Sequence, residues 1–261
     1  EGGALVAKSR FTIAGHTDPA IGLYRTDAPT TSHLAVLLTA VIAISMDWSG
    51  YIFDVVTAFL TGEKLQRELY TRAPKEGLPA VGFYPAVKPF GLLKILKGAY
   101  GLTEAPRLWY LKAKNLLEGI GAVELRIARA VFVFREKNKT GTSGLIAVLS
   151  LYVDDGLLFG DPADPRFQRV KVKVDSTFNI KHWKSLGPEP VKYLGMQWQT
   201  FVEDKAVSLC IHMDEYIDGL KEKSLNIKGE SDRPLDAEEL AQYRSLLAKA
   251  RWPVNRVAPE L

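Results

Sequence analysis

The chain has 261 residues, 47% hydrophobic and 25% charged, with a formal charge of +4. That balance excludes an intrinsically disordered chain and allows a large core in one lobed domain or two. A single cysteine, Cys210, excludes an internal disulfide framework and a cysteine-built zinc site, and the mild basicity permits a nucleic-acid partner without requiring one.

Residues 1–30 mix polar and apolar signals around Gly15, Pro19, Gly22 and Pro29, a pattern that predicts short strands and loops. The start Glu1-Gly2-Gly3, with no initiator Met, predicts a piece cut from a longer polypeptide. Residues 34–46 are almost continuously apolar but fall short of the roughly 18–20 needed to cross a bilayer. They predict a buried core helix capped by Ser32, and no membrane partner. Tyr51-Ile52-Phe53-Asp54-Val55 is a β-rich run with a carboxylate inside it, and a buried carboxylate needs a partner or a metal. Residues 73–92, punctuated by Pro74, Gly77, Pro79, Pro85 and Pro89, predict an extended excursion with little regular structure.

A helix is predicted from Ala105-Pro106, where a first-turn proline loses no hydrogen bond, to Gly119 and Gly121. Trp109, Ala113, Leu116, Leu117 and Ile120 form its apolar face. Strands are predicted at 130–135 and 145–152, on either side of a turn at 137–141. The second is apolar without alternation, as a strand covered on both faces should be. It runs through Val153-Asp154-Asp155-Gly156 into Leu157-Leu158-Phe159, which predicts a tight hairpin around an Asp-Gly-containing turn. Residues 166–178 have an amphipathic helical pattern, and 191–201 with 206–212 predict another strand pair. Two tail helices follow, one through Tyr216, Ile217, Leu220 and Leu225, the other opening on the capping box Asp236–Glu239 and ending at Pro253. The class is α+β, with a core over 1–212 and a helical region over 213–261.

Asp54 interrupts an apolar strand, and Asp154-Asp155 cap an apolar hairpin. If those strands are neighbours, the carboxylates converge at one sheet end and repel one another unless a cation neutralises them. Hard oxygen ligands of this kind favour Mg²⁺, and two ions about 3.5–4 Å apart suit an in-line phosphoryl displacement. Taken by itself, an Asp-Asp pair in a turn also fits a solvated turn in which Asp bonds its own backbone.

Four blocks of sequence go further. Tyr152-Val153-Asp154-Asp155 matches the tetrapeptide of reverse transcriptases, and residues 53–63, Phe-Asp-Val-Val-Thr-Ala-Phe-Leu-Thr-Gly-Glu, resemble the copia-type block that carries the first catalytic Asp. Residues 96–110, from Leu96-Lys97-Gly98-Ala99-Tyr100-Gly101 to Trp109-Tyr110, and Tyr193-Leu194-Gly195-Met196 resemble two further blocks in the same order. The likeness to copia-type retrotransposon reverse transcriptases runs over nearly the whole chain.

The resemblance implies a right-hand polymerase fold: fingers and an antiparallel-sheet palm over 1–212, and a helical thumb beyond. It implies an RNA-directed DNA polymerase that adds dNTPs to a primer 3′-hydroxyl, with two Mg²⁺ ions (Mn²⁺ as substitute) and an RNA or DNA template as partner. Asp54 and Asp154 would bind both metals, with the Val55 carbonyl as a further ligand and Asp155 in support. Phe59 falls where the family's steric gate stacks on the deoxyribose, and Tyr100 and Gly101 would lie beside the incoming nucleotide. Tyr152 and Val153 would meet primer and template, Gly195 would grip the primer end, and Lys221, Lys223 and Lys228 would be available to phosphates. Integrase, RNase H and protease would belong to other segments of the polyprotein, in a cytoplasmic virus-like particle with a nuclear phase.

The sequence departs from the pattern at Gly2, Gly3 and Ala4, where the family offers a Lys and an Arg to the triphosphate; Lys8 and Arg10 lie nearby without an assigned duty. Residues 127–132 lack the usual Asp-Pro, and Val56 and Glu104 replace commoner choices. These departures leave two rivals: a degenerate or domesticated, non-catalytic nucleic-acid-binding derivative, and a different palm-type nucleotidyl transferase or cyclase.

Overall fold

A computed structural model describes residues 10–79, 85–137, 143–203, 206–220 and 234–257, in two compact units, Glu1–Lys184 and Ser185–Leu261. The result is a mixed α/β architecture with antiparallel sheets. In the first unit, α1 (His33–Ser45) starts at Ser32, whose hydroxyl accepts from the Ala35 amide. It leads into β1 (Ser49–Asp54), the short α2 (Ala58–Thr61) and a two-stranded ribbon of β2 (Lys64–Arg72) with β3 (Leu92–Lys97). Then come α3 (Ala105–Gly119), β4 (Ala122–Glu124), β5 (Val131–Lys137), β6 (Ser143–Tyr152), β7 (Asp155–Gly160), α4 (Pro165–Phe178) and β8 (Trp183–Ser185). The main sheet has the order β4-β5-β6-β7-β1-β8, so the chain's first strand is inserted beside the β6–β7 hairpin.

Side-chain alternation along these strands gives the sheet two buried faces. On one face Phe53, Phe132, Phe134, Leu149, Leu151 and Leu158 pack against α3 through Trp109, Ala113 and Leu117, and against α4 through Phe167, Val174 and Phe178. Ile52, Val148 and Leu157 on the other face are buried as well, and α1 lies against β1, β6 and β7 through Val36, Ala40 and Ala43. The second unit holds β9 (Val191–Tyr193), β10 (Met196–Glu203) and β11 (Ala206–His212) in one antiparallel sheet, then α5 (Asp214–Asp218) and α6 (Ala237–Val254). Asp236 caps α6 with the reciprocal Glu239 bond that the sequence predicts.

Several expectations need correction. The described part of residues 1–30 contains no strand, only a 3₁₀ turn at Gly15–Thr17. Its backbone bonds go to local turns and to Tyr100 rather than to a ladder. The helix predicted as core is covered on one side only, and Leu34, Leu38, Val41 and Ile42 are exposed. The punctuated excursion at 73–92 is flanked by strands that the sequence reading missed. β2 alternates half-buried and exposed residues in a charged sequence, so its apolar signal is weak. Pro253 lies inside the last turn of α6, which ends one residue later at Val254. The predicted turn at 137–141 and Leu225 fall outside the described residues, apart from the backbone of Lys137, which closes β5.

Candidate active site

Asp54 is the last residue of β1 and pairs directly with Asp155, the first residue of β7. On its other side Asp155 pairs with Tyr152, leaving Val153-Asp154 as a two-residue hairpin loop. Directly opposed residues of an antiparallel pair project to the same face, with Cβ atoms roughly 4.5–5.5 Å apart. Asp54 and Asp155 therefore share one end of the sheet. The loop is tied to β1 as well, because the Val55 amide donates to the Asp154 carbonyl at 2.9 Å.

This turn is strained. Val153 has φ of 58°, a left-handed conformation in the first loop position where glycine is usual and a β-branched residue is an outlier. Such a conformation costs on the order of 1–3 kcal/mol and persists only when its surroundings hold it. Here the buried Trp109 of α3 does so, its indole N–H donating to the Val153 carbonyl at 2.7 Å. The hairpin loop is Val153-Asp154, not the expected turn containing Asp-Gly. Gly156 lies in β7 opposite Phe53, where an added Cβ would stand 2.1 Å from the Phe53 ring. The glycine makes room for an aromatic ring, not for the turn.

Desolvation, then the charges of Asp154 and Asp54, push the Asp155 carboxyl up to about 6. Asp54 is raised too, by desolvation first and by Asp154 second. Lys184 on β8, the strand beside β1, works against both shifts. Among the described residues, no group of three or more His, Cys, Asp or Glu side chains is assembled to hold a metal ion. The donor set nevertheless suits a hard divalent cation. Asp54 and Asp155 offer carboxylate oxygens from directly opposed positions, Asp154 is close enough to act on both, and a bound cation would relieve their mutual repulsion.

The residues expected around a nucleotide also meet. The Phe59 and Tyr100 rings stand edge to face, with centroids 5.6 Å apart. A close approach of Gly98 to the Phe59 carbonyl (2.9 Å from a built Cβ) presses α2 against this stretch. Gly101 has φ of 84° and its Cβ would meet the Ile13 carbonyl at 2.0 Å, so only glycine lets residues 13–15 lie against 100–102. Arg10, unassigned from the sequence, has its guanidinium 4.5 Å above the Tyr100 ring. Gly195 belongs to the second unit, where with Leu194 it forms the β9–β10 turn (φ 78° and 51°) against the Trp252 ring. Lys8, Lys221, Lys223 and Lys228 lie outside the described residues.

Sequence reasoning missed Trp109 as the support of the turn and Lys184 as the cation beside the carboxylates. Trp109 carried only a core-helix signal, and nothing local marks Lys184.

A family model described as "Reverse transcriptase (RNA-dependent DNA polymerase)" matches residues 5–227. The chain belongs to the reverse transcriptase family. Over 174 residues (64% of the chain) it is 30% identical to "Retrovirus-related Pol polyprotein from transposon RE1" of Arabidopsis thaliana, of which it covers 11%. It is 28% identical over 198 residues (75% of the chain) to the Pol polyprotein from transposon TNT 1-94 of Nicotiana tabacum, covering 13% of it. The likeness read from the four sequence blocks is thus borne out. The chain spans only a small part of the length of these curated relatives. No solved structure matches it significantly. No helix among the described residues is long and apolar enough to cross a membrane.

Proposed function

We propose that the chain is the polymerase region of a copia-type Pol polyprotein, extending a primer 3′-hydroxyl with dNTPs opposite an RNA or DNA template. The observation that carries this reading is the pairing of Asp54 with Asp155 and of Val55 with Asp154 at one sheet end, in a chain of this family. In the right-hand description the six-stranded sheet is the palm, the β2–β3 ribbon belongs to the fingers, and the helices after 213 to the thumb.

Asp54, Asp154 and Asp155, with the Val55 carbonyl, would hold Mg²⁺ or its substitute Mn²⁺. Two such ions, when bound there, would supply Lewis-acid chemistry for a phosphoryl displacement. The chain's own residues set the geometry. Trp109 fixes the strained loop so that Asp154 stays beside β1. Phe59, buttressed edge-on by Tyr100, forms a wall that a 2′-hydroxyl would strike, which favours dNTPs over rNTPs. Tyr100 and Gly101 border the incoming nucleotide, Tyr152 and Val153 the primer–template, and Gly195 the primer end. Other Pol segments and a cytoplasmic virus-like particle with a nuclear phase complete the reading.

One observation favours the non-catalytic alternative: Gly2, Gly3 and Ala4 stand where the family offers a Lys and an Arg to the triphosphate. Primer extension with Mg²⁺ separates the two. The wild type should extend an RNA-templated primer, and Asp154→Asn should lose extension by at least about 10²-fold while duplex affinity holds. Binding without extension in the wild type would establish the alternative.

A further inference from the structure

One charged cluster in the first unit has no part in the carboxylate chemistry. Arg67 of β2 donates to Glu104 at 2.9 Å and to Asp18, the longer of the two Asp18 contacts being 3.3 Å. The two acid side chains are 4% and 11% exposed and Arg67 is 24% exposed, so the cluster is largely withdrawn from water. Its guanidinium stacks on the Tyr24 ring at 4.4 Å. The Tyr24 hydroxyl donates to Asp18 at 2.9 Å and shares a 3.1 Å hydrogen bond with the Thr103 hydroxyl. The Arg67 bond holds the Asp18 carboxyl below the usual carboxylate range.

These contacts join three distant segments: residues 18–24, the β2–β3 ribbon, and 103–104 at the start of α3. The stretches that adjoin two of these segments, 13–15 and 100–102, are zipped together just beyond the cluster. The Ile13 amide donates to the Tyr100 carbonyl at 2.7 Å, and Gly15 lies so close to Gly101 that a Cβ would stand 2.2 Å from its carbonyl. Removing one member of a buried charge group leaves the others uncompensated, so breaking the cluster is costly and the three segments it joins are held together. Glu104 heads α3 without capping it by a side-chain bond and is committed to Arg67 instead.

We infer that Arg67 is a positioning residue for the nucleotide site: its fork, gripping Asp18 and Glu104, sets the strip 100–104 and so the placement of Tyr100 against Phe59. This rests on the reading of Phe59, Tyr100 and Gly101 as nucleotide contacts. A lysine cannot replace the fork, because one ammonium lacks the planar donors that engage both carboxylates. Displacement of Tyr100 should weaken dNTP binding while the carboxylates at the ends of β1 and β7 stay in place.

The test compares wild type, Arg67→Lys and the milder Tyr24→Phe, which keeps every charge. The dNTP KM should rise roughly 5- to 50-fold in Arg67→Lys, and less in Tyr24→Phe, with kcat within about two-fold. Amide hydrogen exchange at Ile13 should quicken in both variants while that at Val55 does not. A lower melting temperature with unchanged KM, or unchanged exchange at Ile13, would overturn the inference and leave Arg67 as packing. Should the wild type not extend primers, the polymerase reading fails, whereas exchange at Ile13 still decides whether Arg67 positions the strip.

Discussion

Asp155→Asn should make the protein more stable at neutral pH while lowering primer extension. In the folded chain the Asp155 carboxyl is lifted from 3.8 to about 6 by desolvation, then by Asp154 and Asp54. A folded-state pKa above the unfolded one means that the native state binds the proton more tightly, so stability falls as pH rises between about 4 and 6 and stays lower above that. The full shift is worth about 3 kcal/mol. Solvent screening at this half-buried position reduces it to roughly 1–2 kcal/mol. The neutral amide avoids that cost. Its melting temperature should exceed the wild type's by about 3–6 °C near pH 7.5, and the two should converge near pH 3, below the unfolded pKa, where the carboxyl is protonated in the folded and unfolded chain alike. Mg²⁺ should raise the wild-type midpoint more than the variant's, since the cation relieves a repulsion the variant has already lost. Scanning calorimetry or fluorescence melts of both proteins at the two pH values settle it. An equal difference at both, or none at either, would refute the account of a carboxylate pair held in mutual repulsion.

Trp109→Phe deletes the donor to the Val153 carbonyl and should cost about 1–3 kcal/mol in urea unfolding, with extension falling further than stability explains because the Asp154 loop relaxes. Gly156→Ala drives a methyl into the Phe53 ring and should lower stability by at least about 1–3 kcal/mol by thermal melt, prising β7 from β1. Phe59→Val should raise rNTP incorporation relative to dNTP by roughly 10²-fold in single-nucleotide extension, if the ring is the sugar's steric wall.

What the sequence made legible follows from local chemistry. A carboxylate inside Tyr51-Ile52-Phe53-Asp54, two apolar runs meeting at Asp154-Asp155, a proline in the first turn of α3 and the Asp236–Glu239 box each have a cause within a few residues. The β2–β3 ribbon did not, because its lysines, arginines and glutamate blur the alternation that marks a strand. Residues 34–46 misled in the opposite direction. Hydrophobicity all round predicts burial all round, yet the sheet covers only the side bearing Val36, Ala40 and Ala43. Arg67 meets Asp18 across 49 positions and Glu104 across 37, and no spacing rule reaches that far.

The same division runs through the candidate site. Its acids are announced by local anomaly, since a carboxylate in an apolar strand and an Asp-Asp pair between two apolar runs each stand where burial alone would not put them. Their supports carry no such mark. Trp109 reads as one more apolar residue on a helix, and Gly156 as part of a turn, until the fold sets one under the Val153 carbonyl and the other against the Phe53 ring. Strain persists where the surroundings enforce it, so the residues that do the enforcing should show the larger stability effects and the acids the larger activity effects. For Trp109→Phe against Asp155→Asn that ordering is opposite in sign: the first should lose stability, the second gain it, and both should lose polymerisation.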